Sequence, residues 1–97
     1  MKSFKEKCYS VLKKVPKGKI TTYKSISRKL NTKAYRAVGN AMNKNRNNKI
    51  PCHRVINSNG KIGGFNKGIN NKIELLRSEN IEIKNNRISL TKYEHKF

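Results

Sequence analysis

The chain has 97 residues, of which 24 are Lys or Arg and 5 are acidic, so its formal net charge is +19 at pH 7. This length allows one small domain with a single modest core. No apolar run approaches the roughly 20 residues of a membrane span, and residues 1–7 are not followed by the apolar stretch of a signal peptide. We therefore expect a cytoplasmic protein with a polyanionic partner, most commonly nucleic acid. An anionic membrane surface is the weaker alternative, because no helix sets a basic face opposite large aromatic side chains.

The two cysteines, Cys8 and Cys52, are too few for a disulfide scaffold. Adding His53 and His95 brings the formal ligand count to four, but adjacent residues rarely share one ion and no CxxC pair exists. We therefore expect no metal site.

The first predicted element is a helix over residues 3–14. Ser3 and Glu6 have the spacing of a capping box, and apolar residues follow at helical intervals. Cys8 lies on that apolar stripe, so we expect it to be a buried core residue.

A helix-turn-helix is predicted next. Thr22 can cap a short second helix, and Thr32 can cap a third over residues 33–43. The third helix has an inward stripe of Ala34, Val38, Ala41 and Met42, and it is thin because Ala37, Gly39 and Ala41 are small. A thin helix can approach another backbone closely, either a neighbouring helix or a DNA groove.

The rest of the chain mixes turns with short elements. We expect a polar loop over residues 43–49, a buried strand over 50–56, a turn at Asn59-Gly60, a returning strand over 61–65, a helix over 69–78, a hairpin over 81–90 and a loose tail over 91–97. The fold class is α+β: a small, mainly helical domain with a winged-helix-like helix-turn-helix and short β-hairpins. Residues 1–90 form the domain and residues 91–97 the C-terminal tail.

The segment around Cys52 is the candidate for chemistry. A thiol attacks as its thiolate, which a nearby base or cation favours, and His53 and Arg54 follow directly. Neighbours on a strand point to opposite faces, so His53 needs a kink or a bridging water to serve Cys52. Pro51 makes a kink plausible, and a buried structural cysteine is the alternative.

Three motifs resemble the methylated-DNA–protein-cysteine methyltransferases, also called O6-alkylguanine-DNA alkyltransferases. They are Arg36-Ala37-Val38-Gly39-Asn40-Ala41-Met42, then Ile50-Pro51-Cys52-His53-Arg54-Val55-Ile56, then Gly60 with Gly63-Gly64-Phe65. The resemblance covers about residues 4–90, and the Pro-Cys-His-Arg-Val core is highly specific when an Arg-Ala-Val-Gly helix precedes it at this distance.

The resemblance implies a repair reaction in which an O6-alkylguanine leaves duplex DNA and its alkyl group passes irreversibly to Cys52. His53 is then the base that acts through a water, and Glu79 orients it. Asn45 links the helix-turn-helix to the active-site segment, and Tyr23 contacts the flipped base and offers a proton to the leaving guanine.

The resemblance also implies the partner and its contacts. The partner is double-stranded DNA containing O6-alkylguanine, bound by a monomer with no cofactor. Arg36 fills the gap that the flipped base leaves, and four further residues are expected at the DNA: Thr22, Ala37, Gly39 and Ala41. The substrate pocket is expected to contain Met42, Val55, Gly63, Gly64, Phe65 and Asn66.

Some features depart from the family pattern. Phe65 stands where some relatives have Tyr, and Asn66 where a small hydroxyl residue often occurs, so contact with the guanine O6 would depend on backbone N–H groups. The loop over residues 43–49 is slightly short. Many relatives carry a further N-terminal domain, so we expect this chain to be the catalytic domain alone.

Two other functions remain open. An alkyltransferase-like protein would bind O6-alkylguanine and flag it without transfer, but such proteins often have Trp or Ala at the nucleophile position, where this chain has Cys52. A helix-turn-helix regulator without chemistry would leave Cys52, His53, Asn45 and the glycine-containing loop unexplained.

Overall fold

The computed structural model describes residues 2–47 and 49–97, and it confirms the expected α+β class. Helices pack around a pair of two-residue strands. In chain order the elements are α1 (Phe4–Leu12), β1 (Thr21–Thr22), α2 (Tyr23–Lys29), α3 (Tyr35–Asn43), a short 3-10 helix (Cys52–Arg54), β2 (Val55–Ile56), α4 (Ile69–Ser78) and α5 (Leu90–Tyr93). None of the helices in the described ranges is long and apolar enough to cross a membrane.

The first two helices begin where their capping residues predict. The Ser3 hydroxyl accepts a hydrogen bond from the Glu6 backbone N–H at 3.2 Å, as in a capping box. The Thr22 hydroxyl accepts from the Ser25 N–H at 3.0 Å and caps α2. Helix α1 ends two residues earlier than expected, and Cys8 is buried in it as predicted.

The predicted start of the third helix is wrong. Helix α3 begins at Tyr35 without a side-chain cap, because the Thr32 hydroxyl accepts from the Ala34 N–H in the preceding turn, at 3.1 Å. Ala34 is therefore exposed and lies outside the inward stripe. The rest of that stripe is confirmed, since Val38, Ala41 and Met42 are buried.

The turn expected at Asn59-Gly60 is present, with the Gly60 N–H bonded to the Asn57 carbonyl at 3.0 Å, but most of the predicted hairpin over residues 50–65 is wrong. Pro51 has no N–H, and its carbonyl accepts from Arg54 at 3.0 Å, so the chain forms a 3-10 turn where a strand was expected. Only Val55–Ile56 is extended, and it pairs in parallel with Thr21–Thr22. The returning segment contributes an isolated antiparallel bridge from Lys61 to Arg87.

The last part of the chain is more ordered than predicted. Asn85 and Asn86 take the left-handed conformation between Lys84 and Arg87, which form an antiparallel bridge, so the expected tight turn is present. The segment expected to be a loose tail instead begins with α5. Tyr93 is 8% exposed because it packs in the core, and backbone bonds join this segment to Ile20.

Two apolar clusters form the core, with the strand pair between them. The first holds α1, α2 and α3 together and includes Cys52 and Val55. The second joins the inner face of α4 to the C-terminal segment and includes Ile56. The side chains of Val55 and Ile56 in β2 thus enter different clusters. Cys52 belongs to the cluster that contains residues of α2 and α3, the helix-turn-helix.

Candidate active site

The Cys52 thiol lies at the start of the 3-10 turn and is 6% exposed. The Asn45 side-chain amide donates a hydrogen bond to its sulfur at 2.8 Å. The sulfur of Met42 lies 3.9 Å from the same atom. The thiol is therefore held in a fixed position between the end of α3 and the turn.

Burial raises the pKa of the Cys52 thiol above its ordinary value. The hydrogen bond from Asn45 and the positive charges of Lys67 and Lys72 act in the opposite direction without cancelling this effect. The group is thus mostly a thiol at neutral pH, and its reaction as a nucleophile requires removal of a proton.

His53 and Glu79 form a close pair beside the thiol, with 2.7 Å between Nε2 and Oε2. Arg54 donates two hydrogen bonds to the same carboxylate, each at 2.9 Å, and a third to the Val15 carbonyl. Burial raises the pKa of Glu79, but the hydrogen bonds from Arg54 and His53 outweigh it and leave that pKa low. Glu79 is therefore an anion.

The pair fixes the protonation of the imidazole. Burial lowers the pKa of His53, although Glu79 partly opposes the change, so the ring is neutral near pH 7. An ionised carboxylate only accepts hydrogen bonds, which assigns the ring proton to Nε2 and leaves Nδ1 as an acceptor. In the described residues no hydrogen bond joins this ring directly to Cys52.

Asn45 connects α3 to the turn, as predicted. Its side-chain oxygen accepts from the Asn47 N–H at 2.9 Å, and its amide nitrogen lies within bonding distance of the Ile50 carbonyl as well as the Cys52 sulfur. Tyr23 packs against the same core cluster. Burial raises the pKa of its phenol, with a smaller contribution from Cys52.

A cavity of about 210 Å³ opens beside the thiol. Of the six residues predicted for the substrate pocket, Phe65 and Asn66 line this cavity. The other four do not, namely Met42, Val55, Gly63 and Gly64, and both Met42 and Val55 are buried. Sequence reasoning did not identify Ile50, Lys67 and Leu75 as wall residues. Leu75 is an apolar residue that lies outside the predicted apolar stripe of its helix, and this sequence signal could have identified it.

The segment over residues 62–66, the glycine loop, is joined to the end of α3 by side-chain hydrogen bonds. The Asn66 side-chain amide donates to the Asn45 carbonyl at 2.7 Å and to the Asn43 carbonyl at 3.2 Å. Gly63 has a φ of 75°, and a Cβ there would lie 3.0 Å from the Asn57 side chain. Gly64 has neither constraint.

The residues expected at DNA divide into two groups. Arg36 is exposed on α3, and Ala37 and Gly39 are half-buried on the same helix. Ala41 and Thr22 are only 5% and 2% exposed, and the Thr22 hydroxyl already caps α2. The side chains of these last two residues therefore face the core, and a role at DNA stays a prediction for both.

The chain belongs to the 6-O-methylguanine DNA methyltransferase family, whose model for the DNA binding domain matches residues 3–81. The methylated-DNA–protein-cysteine methyltransferase of Methanosarcina mazei is 42% identical over 84% of this chain and 52% of its own length. This chain spans about half the length, or less, of the curated relatives it matches.

Two solved DNA complexes share the fold. S. pombe Atl1, bound to damaged DNA containing O6-carboxymethylguanine, matches with a TM-score of 0.88 and 30% identity over 100% of both chains. Mycobacterium tuberculosis OGT in complex with DNA matches with a TM-score of 0.77 and 35% identity, over 82% of this chain and 50% of its own.

Proposed function

We propose that this protein repairs DNA by flipping an O6-alkylguanine out of the duplex and transferring its alkyl group irreversibly to Cys52. The arrangement of Cys52 is the observation that carries the proposal. A thiol lines a cavity, an amide from Asn45 donates to its sulfur, and a neutral imidazole paired with a carboxylate stands at the next residue. A purely structural cysteine has no need of such neighbours.

The chemical step follows from the protonation states. His53 takes the Cys52 proton through a bridging water, and Glu79 stabilises the imidazolium that forms. The thiolate attacks the alkyl carbon, a C–S bond forms, and the C–O6 bond breaks with its electron pair on guanine. Tyr23 donates a proton to the leaving guanine, and the proton that His53 took from Cys52 then passes to the Tyr23 phenolate. The net result is that the thiol proton ends on guanine. The thioether is stable to water, so each chain reacts once.

The outer face of α3 fits the minor groove of DNA. A glycine inside a helix costs about 1 kcal/mol relative to alanine, yet a Cβ at Gly39 would meet nothing within 4 Å in the protein. Internal packing therefore does not require this glycine, whereas a groove only about 6 Å wide does. Arg36, exposed beside it, can stack in the space left by the extruded base and offset part of the unstacking cost.

Recognition of the lesion without transfer is the second candidate. It is favoured by the match to Atl1 over the whole of both chains, because that protein is seen bound to DNA containing O6-carboxymethylguanine. The fold is shared with OGT as well, so the choice depends on Cys52 and its neighbours.

Intact mass measurement after mixing with a duplex containing O6-methylguanine tests the proposal. We expect one added methyl group per chain, located on Cys52 by peptide mapping. Cys8 is the internal control, since it is fully buried and burial raises its pKa. Cys52→Ala should bind the same duplex and gain no methyl group. An unmodified wild-type chain that still binds the lesion would favour recognition without transfer.

A further inference from the structure

Lys72 is a fully buried cation on α4. It lies on the inner face of the helix, four residues before Leu76 of the second core cluster. A lysine at such a position is unusual, because moving an ammonium group out of water is costly and a methionine of similar length would fill the space without that cost.

Three backbone carbonyls surround the ammonium group. Lys72 Nζ donates to the oxygens of Val55 at 2.7 Å, Ile62 at 2.6 Å and Gly64 at 3.0 Å. These bonds use all three of its N–H groups. Burial lowers the pKa of Lys72 to about 8, so the group is still mostly protonated at neutral pH.

The three carbonyls belong to two chain segments that each contribute other residues to the cavity wall. Val55 directly follows the turn that carries Cys52, whereas Ile62 and Gly64 belong to the glycine loop that carries Phe65 to the cavity wall. Within the described ranges β2 pairs only with β1, and the backbone bond from the Asn57 N–H to the Lys61 carbonyl, at 3.0 Å, lies between the two segments and joins neither carbonyl partner of Lys72 to the other. The ammonium group therefore joins two segments that both contribute to the cavity wall.

We infer that Lys72 is a positioning residue: it fixes the glycine loop relative to the Cys52 turn and so sets the geometry of the guanine pocket. The inference rests on the proposed function, since it assigns the cavity to the flipped base. The positive charge also acts on Cys52 and favours its thiolate. Lys72 does not touch the reacting atoms, and its effect passes through the loop and through the electrostatic field.

Two substitutions of Lys72 test this role. Lys72→Met removes all the donors, whereas Lys72→Gln keeps two donors on a side chain of the same length as methionine, and both side chains are one atom shorter than lysine. Each substitution is first made in the wild-type protein, in which the rate of alkyl transfer is measured at saturating duplex. Each is also combined with Cys52→Ala, which allows binding to be measured without transfer. In that background the ratio of dissociation constants for unmodified and O6-methylguanine duplexes measures lesion discrimination. Val11→Ala, which removes buried side-chain volume from α1, is the control for lost stability.

We expect Lys72→Met to lower lesion discrimination by about tenfold and the saturating transfer rate by about 100-fold, because a displacement of about 1 Å at a reacting centre has effects of this size. Lys72→Gln should lose less on both measures. Binding of unmodified duplex should stay within about twofold of wild type in both variants, because its phosphate contacts do not involve the pocket.

The inference is overturned if Val11→Ala changes discrimination and rate as much as Lys72→Met, or if Lys72→Met changes neither. If neither Lys72 variant folds, nuclear Overhauser contacts between the Lys72 ε-protons and Ile62 and Gly64 decide in the wild-type protein. Their presence supports the inference and their absence overturns it. A wild type that discriminates the lesion but transfers nothing refutes the proposed transfer alone, since the discrimination ratio still reports on Lys72.

Discussion

The imidazole of His53 and the carboxylate of Glu79 meet at 2.7 Å although 26 residues separate them in the chain. Glu79 ends α4, and His53 lies in the turn after Pro51, so packing of α4 against that turn creates the pair. The guanidinium group of Arg54 donates to both oxygens of the same carboxylate, and these two bonds fix the plane of the carboxylate. One carboxylate thus orients the proposed base and also stabilises the turn.

Glu79→Gln should slow alkyl transfer and weaken the fold together. An amide in place of the carboxylate directs N–H groups at Arg54 or His53, and the site loses the charge that stabilises an imidazolium. We expect the single-turnover rate to fall roughly 100-fold and the free energy of unfolding to fall by about 1.5–3 kcal/mol. Glu82→Gln is the matched control, because the Glu82–Lys84 pair is exposed and contributes little. A variant with wild-type rate would exclude Glu79 from the proton path.

The stability of the protein should depend on acid through the same pair. The pKa of Glu79 lies below its ordinary 4.5 in the folded state, so its stabilising effect is complete above that pH and is lost as pH falls through the folded value. The pKa of His53 lies below its ordinary 6.5, so the unfolded chain takes up that proton first and stability begins to fall below pH 6.5. Chemical unfolding at a series of pH values measures both parts.

The variant Glu79→Gln separates the two contributions. It should lose the part of the decline that occurs below about pH 4.5, because the titrating carboxylate is gone. Wild-type and variant curves that stay parallel from neutral pH into acid would contradict the assignment. Glu82→Gln should follow the wild-type curve, since its carboxylate is exposed.

Local signals in the sequence predict α1, α2 and α4 well, but they place the start of α3 wrongly and do not indicate α5. Capping residues at Ser3 and Thr22 mark the starts of α1 and α2, and the apolar spacing after Ile69 gives α4 with its observed limits. Pairing between distant segments is not encoded locally, so the parallel contact of β1 with β2 and the packing of Tyr93 were missed. Motif resemblance predicted one site from Cys52, His53, Glu79 and Asn45, and the structure places Asn45 at the Cys52 sulfur and Glu79 at the His53 ring, while their catalytic roles stay predictions.

Other parts of the site have weaker sequence signals. Lys72 lies three residues after Ile69 and four before Leu76, so a lysine on an apolar stripe was the available signal. Ala41 was expected at both the core and the DNA, and only the structure assigns it to the core. A small residue in a sequence indicates that another group approaches closely, but it does not show whether that group belongs to the protein or to DNA.

Gly39→Ala should stabilise the fold and weaken DNA binding. The added methyl group meets no protein atom and favours the helix by about 0.5–1 kcal/mol. Against a closely fitted groove the same methyl group is an overpacking change, which costs about 1–3 kcal/mol of binding free energy. Thermal unfolding and duplex titration measure the two effects. Asn70→Ala on the exposed side of α4 is the control for helix propensity alone, and equal binding by both variants would contradict close approach of α3 to DNA.

Binding to unmodified duplex should weaken steeply as salt rises. The net charge of +19 favours contacts to phosphates. The small side chains of α3 have few groups that could distinguish one base from another, so the contacts should be mainly to the DNA backbone. If about six phosphates are neutralised, affinity should fall roughly 1,000-fold between about 50 and 200 mM salt, with little dependence on sequence. A binding constant that barely changes over that range would contradict this mode of binding.

Arg36→Ala should reduce alkyl transfer more on duplex DNA than on single-stranded DNA. Arg36 is exposed on α3 and can enter the stack beside the extruded base, where its guanidinium replaces lost stacking. In a single strand the base is already accessible, so the loss should shrink to that of one phosphate contact. Single-turnover rates on the two substrates measure the difference, and Arg36→Lys should behave like Arg36→Ala on duplex because an ammonium group does not stack.

Lys33 is an exposed cation just before α3, so Lys33→Ala is the control and should reduce the transfer rate equally on both substrates. Equal losses for Arg36→Ala would make Arg36 a general contact to the DNA backbone.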